Sequence, residues 1–408
     1  MTLARGCEFK AVFLLGLALL SYGVQGARRG LAGTDPTIFD VTQYGAQADC
    51  KTDNSRIFIN TWNAACQSSG MAKLLIPNGT FLVGEVIFQG PCKCSNPITI
   101  EVQGTLLAKT DLSAYPSGQW FLFRHVTGLL LTGQGSFNGQ GETAWKFNSG
   151  SPKLLPISIK IDHTNNTLVQ GIKLINSKGF HMKVTSCNNV TVQGLNITAP
   201  DDSPNTDGIH ISRSDLVKIS NTVIGTGDDC ISIGEGSTNI SISGITCGPG
   251  HGISIGSLGK VKTEKDVKGI VVTNCTLSNT ENGARIKTFE ESPKTQASNI
   301  VFEDIVMNNV RNPIIIDQHY MCKNKNKGPS NVKISNVHYK NIRGTTVSNV
   351  AVALNCSEAV PCEGVELVDI DLKSSGISEK IESQSTISGL CSNAKATFSG
   401  KQNPSACT

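Results

Sequence analysis

The 408-residue sequence lacks the features that mark helical, membrane-spanning and nucleic-acid-binding proteins. No apolar stripe with a 3.6-residue period runs between its polar segments, which excludes helical repeats. Beyond residue 26, no apolar run approaches the ~20 residues that a transmembrane helix needs. Basic runs and interleaved Arg and aromatic residues are also missing, and the net charge is only +4, so we expect no nucleic-acid partner. This mild positive excess is compatible with an acidic substrate.

The first 26 residues differ from the rest of the chain. A polar start with Arg5 and Lys10 is followed by the apolar run from Ala11 to Leu20 and by a short segment that ends at Gly26. This pattern is typical of a signal peptide, and its apolar part is too short to span a membrane. The sequence therefore predicts a signal peptide over residues 1–26 and one secreted domain over residues 27–408, with no membrane attachment after cleavage.

Export would place the cysteines in an oxidising compartment. The chain has 14 cysteines, and loss of Cys7 with the signal peptide leaves an odd number, so one must be unpaired or bonded to another chain. A zinc site at Cys92 and Cys94 is disfavoured, because no second ligand pair stands at a suitable spacing. Spacing alone fixes no connectivity, but the pairs nearest in sequence are Cys92–Cys94, Cys230–Cys247, Cys356–Cys362 and Cys391–Cys407.

Seven Asn-x-Ser/Thr sequons predict that a secreted form of the chain is a glycoprotein. Their asparagines are Asn78, Asn165, Asn189, Asn196, Asn239, Asn274 and Asn355.

Short segments with alternating apolar residues recur along the chain at intervals of 23 to 33 residues. Stacked Val and Ile side chains with Gly or Asn corners are typical of a solenoid of short strands. We therefore predict an all-β fold, a right-handed parallel β-helix, with Asn residues stacked at its corners. A β-sandwich is the alternative, but its hairpin turns would be more closely spaced. The apolar starts of the repeats are Val190, Val217, Ile240, Ile270, Ile300, Val332 and Val365.

The segment before the repeats has a different pattern. A short strand beginning near Phe39 is followed by an amphipathic stretch, "TDNSRIFINTWNAAC", that predicts a capped helix. Because the first rung of a solenoid exposes its core, we expect this short N-terminal helix to cover the open end.

Four polar stretches interrupt the repeats: "SPNTDGIHI", "TGDDCISIG", "CGPGHGISIGSLG" and "GARIKTFEE". Their charged residues lie about one rung apart, so the stacking should bring three carboxylates, an imidazole and two cations to one face. Asn205 and Asp207, like Arg285 and Lys287, are two residues apart and should share a strand face. Asp228 and Asp229 are adjacent, so both can serve one groove only if the chain bends at Gly227.

These four motifs, complete and in this order, resemble those of the polygalacturonases, the β-helical pectin hydrolases of glycoside hydrolase family 28. The similarity extends from about Phe39 to about Cys407. It implies hydrolysis of α-1,4 galacturonosidic bonds in polygalacturonate with inversion, no cofactor and no metal, and a monomeric enzyme of the extracellular cell wall. The stretches from Asn176 to Met182 and from Ala284 to Ser292 look more like the pollen-type exopolygalacturonases of plants, so we expect exo attack from the non-reducing end.

The resemblance also implies residue roles. Asp228 would be the general acid, Asp207 and Asp229 would hold and activate the attacking water, and His251 would orient the carboxylates. Substrate would be bound by Asn205, by Arg285 and Lys287 as a carboxylate clamp, and by Tyr320. As a cation in an open groove, Lys287 should contribute little to folding.

Other functions remain as alternatives. An endopolygalacturonase would share all four motifs. A pectate lyase would use calcium and an arginine base, and a non-catalytic wall-binding protein would be expected to have lost Asp228 or Asp229. Among the remaining histidines, which we interpret as structural, His210 is the most probable exception because it follows Asp207 by three residues.

Overall fold

The computed structural model describes residues 35–148, 155–321, 328–376, 386–405 and 407. The proposed signal peptide lies outside the described residues. Before the regular repeats, the chain forms β1 (Thr37–Asp40), β2 (Asp49–Asp53), α1 (Ser55–Gln67), β3 (Met71–Ile76), β4 (Thr80–Val83), β5 (Val86–Gln89), β6 (Ser95–Val102) and β7 (Thr105–Ala108).

The central rungs consist of strands that are six residues long or shorter, with one of seven. They are β8 (Gln119–Arg124), β9 (Thr127–Gly133), β10 (Ser136–Asn138), β11 (Ile157–Asp162), β12 (Asn165–Gln170), β13 (Lys173–Ile175), β14 (Met182–Thr185), β15 (Asn188–Gln193), β16 (Asn196–Thr198), β17 (Ile209–Ser212), β18 (Asp215–Ser220), β19 (Val223–Gly225), β20 (Ile231–Ile233), β21 (Thr238–Ser243), β22 (Thr246–Cys247) and β23 (Ile253–Leu258). Short 3-10 turns occupy Leu112–Ala114, Gly141–Thr143 and Trp145–Phe147.

The later rungs have longer strands. They are β24 (Val267–Ser278), β25 (Asn282–Phe289), β26 (Thr295–Val310), β27 (Asn312–Tyr320), β28 (Val332–Thr346), β29 (Val350–Asn355), β30 (Cys362–Ser374), β31 (Ser388–Ser392) and β32 (Ala394–Asn403).

The strands form two parallel sheets that wind around one core. Eleven strands, β5, β8, β11, β14, β17, β20, β23, β25, β27, β29 and β31, stack in this order as one sheet, and the other 21 strands form the second sheet. Successive rungs pair in parallel throughout, so the predicted stacked solenoid is confirmed. In the part of the chain that the structure describes, no helix is both long and apolar enough to cross a membrane.

Successive side chains of each strand point to opposite faces, so the eleven-stranded sheet has one face toward the core and one outer face. The inward side chains of eight successive strands, β11 to β29, form an unbroken aliphatic stack in which every member is fully buried. Each such side chain contributes about 1.5–3 kcal/mol through burial. The stack consists of Ile161, Val184, Ile211, Ile233, Ile255, Ile286, Ile316 and Leu354.

The predicted register of the repeats is correct except at one position. Val190, Val217, Ile240, Ile270 and Ile300 follow one another in the ladder, but Ile300 pairs with Val337 and not with the predicted Val332. Strand β28 contains two pairs of apolar residues, at 332/334 and 337/339. The first pair lies opposite the start of β26, before Ile300, and the second pair continues the ladder of the repeats. Periodicity alone could not distinguish these two pairs.

Asparagines stack at the corners, as predicted. Asn189 donates from Nδ2 to Oδ1 of Asn166 over 2.7 Å, and Asn336 donates likewise to Asn299 over 2.8 Å. All four have positive φ, a conformation that Asn tolerates better than most residues. The asparagines of all seven sequons are exposed, and their glycosylation stays a prediction.

Helix α1 covers the N-terminal end of the core, as predicted. Trp62 stacks on Phe88 with ring centroids 4.7 Å apart, and Phe58 meets Phe81 edge-on. Both helix residues are fully buried, so the first rung is closed to solvent. The expected side-chain cap is absent, because Oδ1 of Asn54 instead accepts a hydrogen bond from Gln47 N–H over 2.8 Å.

Four disulfides join pairs of cysteines within the described residues: Cys66–Cys92, Cys230–Cys247, Cys356–Cys362 and Cys391–Cys407. Three of the four pairs nearest in sequence are therefore correct, but the Cys92–Cys94 pair is wrong, because α1 brings Cys66 beside Cys92. Cys50 is also disulfide-bonded. Cys94, Cys187 and Cys275 are free and buried.

Candidate active site

The four motifs converge on the outer face of the eleven-stranded sheet. Ile209, Ile231 and Ile253 pair in register, and a candidate site residue precedes each of them by two positions. The backbone ladder continues through these positions, since Gly208 N–H donates to Asp229 O and Cys230 N–H donates to Gly252 O, each over 2.9 Å. Asp207, Asp229 and His251 therefore occupy equivalent positions on three successive rungs, as the spacing predicts.

The chain bends at the adjacent aspartates, as predicted. Asp228 and Asp229 lie just before β20 and outside any strand, and Asp229 N–H donates to Asp228 Oδ1 over 2.8 Å. Gly227 is required for space, since a methyl group there would lie 2.0 Å from the carbonyl oxygen of Ser203. The bend thus turns both carboxylates toward the same groove.

Asn205 and Asp207 do not share a strand face, and this part of the prediction is wrong. Both lie in the turn before β17, and Asn205 has a φ of 56°. The strand begins only at Ile209, so the rule that residues two positions apart share a strand face does not apply to the residues before it. Among the described residues, Nδ2 of Asn205 is buried without a hydrogen-bond partner, and its role in substrate binding stays a prediction.

Asp229 is held by two cations. Its Oδ1 accepts hydrogen bonds from Arg285 Nη2 (2.6 Å) and Ser254 Oγ (2.8 Å), and its Oδ2 accepts one from Lys287 Nζ (2.7 Å). Burial opposes ionisation, but the charges of Lys287 and Arg285 outweigh it and lower the pKa of Asp229. The ionised form of Asp229 is therefore favoured in the folded protein.

Arg285 and Lys287 lie on one face of β25, as predicted, but their environment differs from an open groove. Both side chains are more than 90% buried in ion pairs with Asp229. The premise that Lys287 is a cation in an open groove is wrong, and because loss of one partner would leave a buried charge unpaired, we expect loss of Lys287 to destabilise the fold. Tyr320 lies beside Lys287, with its ring centroid 5.1 Å from Nζ, and the binding roles of all three residues stay predictions.

The pKa of Asp207 is shifted in the opposite direction to that of Asp229. Asp207 is buried, and burial together with the charges of Asp228 and Asp229 raises its pKa well above 3.8. Ser232 Oγ donates to its Oδ2 over 2.6 Å, which favours the ionised form and only partly offsets the rise. Two carboxylates on neighbouring rungs thus have pKa values pushed in opposite directions, a pattern typical of acid–base sites.

Asp228 is the most accessible of the three carboxylates, with 22% of its side chain exposed. Its Oδ1 is 3.0 Å from His251 Nδ1, and His251 Nε2 is 3.2 Å from Glu281 Oε2. The hydrogen bond to Asp228 and the surrounding carboxylates raise the pKa of His251, so its cationic form is favoured. The sequence did not single out Glu281, which has no motif of its own.

Two further neighbours belong to the site. His210 Nδ1 is 2.8 Å from the Ser232 hydroxyl that donates to Asp207, and burial lowers the pKa of His210 to about 3. Ser254 links Arg285 and Asp229. Ser232 pairs in register with His210 on one side and with Ser254 on the other. Alignment of the strands could therefore have identified both serines as site residues, although the motifs alone do not.

Asp228, Asp229 and His251 place donor atoms within 4.8 Å of one another, which is the spacing of a metal site. The residues fit a metal poorly. Both oxygens of Asp229 are already bound to cations, and a protonated imidazole is not a ligand. Within the described residues this is the one group with metal-ligand spacing.

The electrostatics of Asp207 lead to a stability prediction. Since its pKa is raised, the fold favours the protonated carboxyl, and stability is lost as the pH rises through that pKa. Asp207→Asn should therefore be inactive but more stable than the wild type at pH 7, by about 0.5–2 kcal/mol. The gain should shrink as the pH falls through this raised pKa, because the wild-type carboxyl is then protonated, and it should be smallest at pH 4. Thermal unfolding at both pH values tests this, and a lower Tm for the variant at pH 7 would contradict it.

Comparisons with known proteins agree with this geometry. Residues 66–397 match the family model for glycosyl hydrolases family 28. The chain belongs to this family. It is 47% identical over 385 residues to an exopolygalacturonase of Arabidopsis thaliana, with 92% of this chain and 90% of the relative aligned. An exopolygalacturonase of Zea mays is 44% identical, with 98% of each chain aligned.

The fold is also that of a solved exopolygalacturonase structure. A hyperthermoactive exopolygalacturonase from Thermotoga maritima superposes with a TM-score of 0.75 at 20% identity, covering 89% of this chain and 90% of that one. The predicted right-handed parallel β-helix is thereby confirmed.

Proposed function

We propose that this family 28 protein hydrolyses the α-1,4 galacturonosidic bonds of polygalacturonate with inversion, releasing single galacturonate units from the non-reducing end. The observation that carries the proposal is the contrast between Asp207, with a raised pKa, and Asp229, held ionised by Arg285 and Lys287, beside an accessible Asp228. The names of the plant relatives, exopolygalacturonase and polygalacturonase, support both the substrate and the exo mode.

Each residue has a role that follows from its environment. Asp228, the accessible carboxyl, donates a proton to the glycosidic oxygen, and the cationic His251 stabilises the carboxylate that remains. Water attacks from the opposite face of the ring. In its ionised form Asp207 accepts a proton from that water, and its raised pKa makes it a stronger base than Asp229, which supplies a fixed negative charge that orients the water.

The same proposal places the enzyme outside the cell. Four disulfides, together with the disulfide-bonded Cys50, accord with an oxidising compartment. We propose a secreted, monomeric enzyme of the cell wall with pectin as its partner.

The mode of attack is tested by a brief digestion of polygalacturonate, with viscosity and product sizes measured together. An exo enzyme should yield monomer while viscosity falls slowly, because each cut shortens a chain by one ring. A steep fall with mixed oligomers at low conversion would instead identify an endopolygalacturonase. Proton magnetic resonance immediately after cleavage should show the inverted anomer.

The lyase alternative gives a different product. A pectate lyase would form a double bond that absorbs in the ultraviolet and would depend on calcium. Products without this absorbance, formed in the presence of a chelator, would exclude it. A wall-binding protein without activity would retain polygalacturonate without releasing any product.

A further inference from the structure

The outer face of the eleven-stranded sheet carries a polar column that extends beyond the residues already described. On six successive strands, β11 to β25, the outward positions align in register. The two lysines at the N-terminal end of this column belong to none of the four motifs. The column consists of Lys160, Lys183, His210, Ser232, Ser254 and Arg285.

Within the described ranges, Lys183 differs from the cations around it because it has no acidic partner. Among the described residues, no carboxylate lies within 4 Å of its Nζ, whereas Lys160 Nζ is 3.8 Å from Asp162 and Arg213 is 3.5 Å from Glu235. Its side chain is only partly exposed. Partial burial without a counter-ion is costly for an ammonium group, and a bound anion would relieve that cost.

The charges near Lys183 strengthen this conclusion. Burial, followed by repulsion from Lys160 and Arg213, lowers the pKa of Lys183, and the negative charges of Asp207 and Asp162 offset this only in part. The positive charges of Lys183, Lys160 and Arg213 are therefore not fully balanced by the nearby carboxylates. An anionic group of a ligand would be attracted to Lys183.

A flat surface lies next to this ammonium group. The ring of Phe180 stacks on His210 with centroids 5.2 Å apart at 27°, and Lys183 Nζ is 6.0 Å from the centroid of Phe180. An apolar ring face beside a cation suits a sugar ring that carries a carboxylate.

Lys183 and Phe180 lie next to the candidate active site along the sheet. Lys183 lies on β14, which pairs directly with β17, the strand that follows Asp207. Neighbouring strands are about 4.8 Å apart, so Lys183 stands roughly 10 Å from the Ser232 position and farther from Arg285. Arg285 and Lys287 lie on the other side of the three carboxylates and are bound to Asp229.

We propose that Lys183 binds the carboxylate of the galacturonate unit on the Asp207 side of the bond that is cut, with Phe180 packing against that sugar. This inference rests on the proposed function, because it takes the substrate to be a galacturonate chain.

The test compares Lys183→Gln and Lys183→Arg with the wild type on digalacturonate and polygalacturonate. Loss of one charge-assisted hydrogen bond, worth about 1.5–3 kcal/mol, should raise KM roughly tenfold or more in Lys183→Gln. We expect kcat to change less than threefold, and Lys183→Arg to retain most of the affinity. Added NaCl should raise the KM of the wild type more than that of Lys183→Gln.

Lys173→Gln is the matched control, since Lys173 is an exposed lysine on β13 of the other sheet. Its KM should equal that of the wild type. Thermal unfolding should show that Lys183→Gln is at least as stable as the wild type, because an unpaired cation is removed.

Two results would overturn the inference: an unchanged KM in Lys183→Gln, or an equal rise in the Lys173→Gln control. Failure of the proposed function would look different, because the wild type would then hydrolyse no polygalacturonate. In that case calorimetric titration with trigalacturonate decides, and binding that is equal in the wild type and Lys183→Gln, or absent from both, would overturn the role of Lys183.

Discussion

Asp228→Asn should lower kcat/KM on polygalacturonate by about 10³-fold, because an amide cannot donate the proton that the leaving oxygen requires. The substitution is nearly isosteric. An Asn at this position can still accept the hydrogen bond from Asp229 N–H through Oδ1, so the bend before β20 should persist. The measurement is initial-rate kinetics on polygalacturonate with purified protein.

The control for this variant is its stability. Asp228 is the least buried of the three carboxylates and makes no contact with Arg285 or Lys287 that the structure records. The Tm of Asp228→Asn should therefore stay close to that of the wild type. Turnover close to the wild-type rate would refute the assignment of Asp228 as the acid.

Asp229→Asn should lose both activity and stability. Removal of this carboxylate charge leaves Arg285 and Lys287 buried without an ionic partner. Breaking a buried ion pair in this way costs about 3–5 kcal/mol of the free energy of unfolding. Chemical denaturation of the variant and the wild type, compared with Asp228→Asn, measures this difference between two adjacent aspartates.

A second substitution checks the cause. In Asp229→Asn, the further change Lys287→Met removes one of the two unpaired cations and should recover part of the lost stability. The same change alone, with Asp229 intact, should be destabilising. Additive losses in the double variant would show that Asp229 and Lys287 are not energetically coupled.

The sequence predicted the fold and the convergence of the four motifs on one face, because both follow from the regular repeat. The in-register spacing of Asp207, Asp229 and His251 follows from rung length, and the buried and outward positions of β17 to β25 follow from alternation. Such features depend on residues close together in the chain.

The prediction failed where side chains from distant rungs meet. Lys287 and Asp229 are 58 positions apart, and nothing in either motif shows that they form a buried pair. The turn that contains Asn205 depends on a positive φ, and the Cys66–Cys92 bond depends on how α1 packs across the first rungs. These features arise from tertiary packing, which periodicity does not encode.

The uneven length of the rungs has a consequence for how enzymes with this architecture can diversify. The rungs that carry the candidate site repeat every 22 residues, from Ile209 to Ile231 to Ile253, while the next rung, to Ala284, takes 31. The additional residues include the segment from Gly259 to Asp266, whose first residues line a cavity with Phe289 and Tyr320. Residues can therefore be added to or removed from this segment without any change in the 22-residue spacing that aligns Asp207, Asp229 and His251.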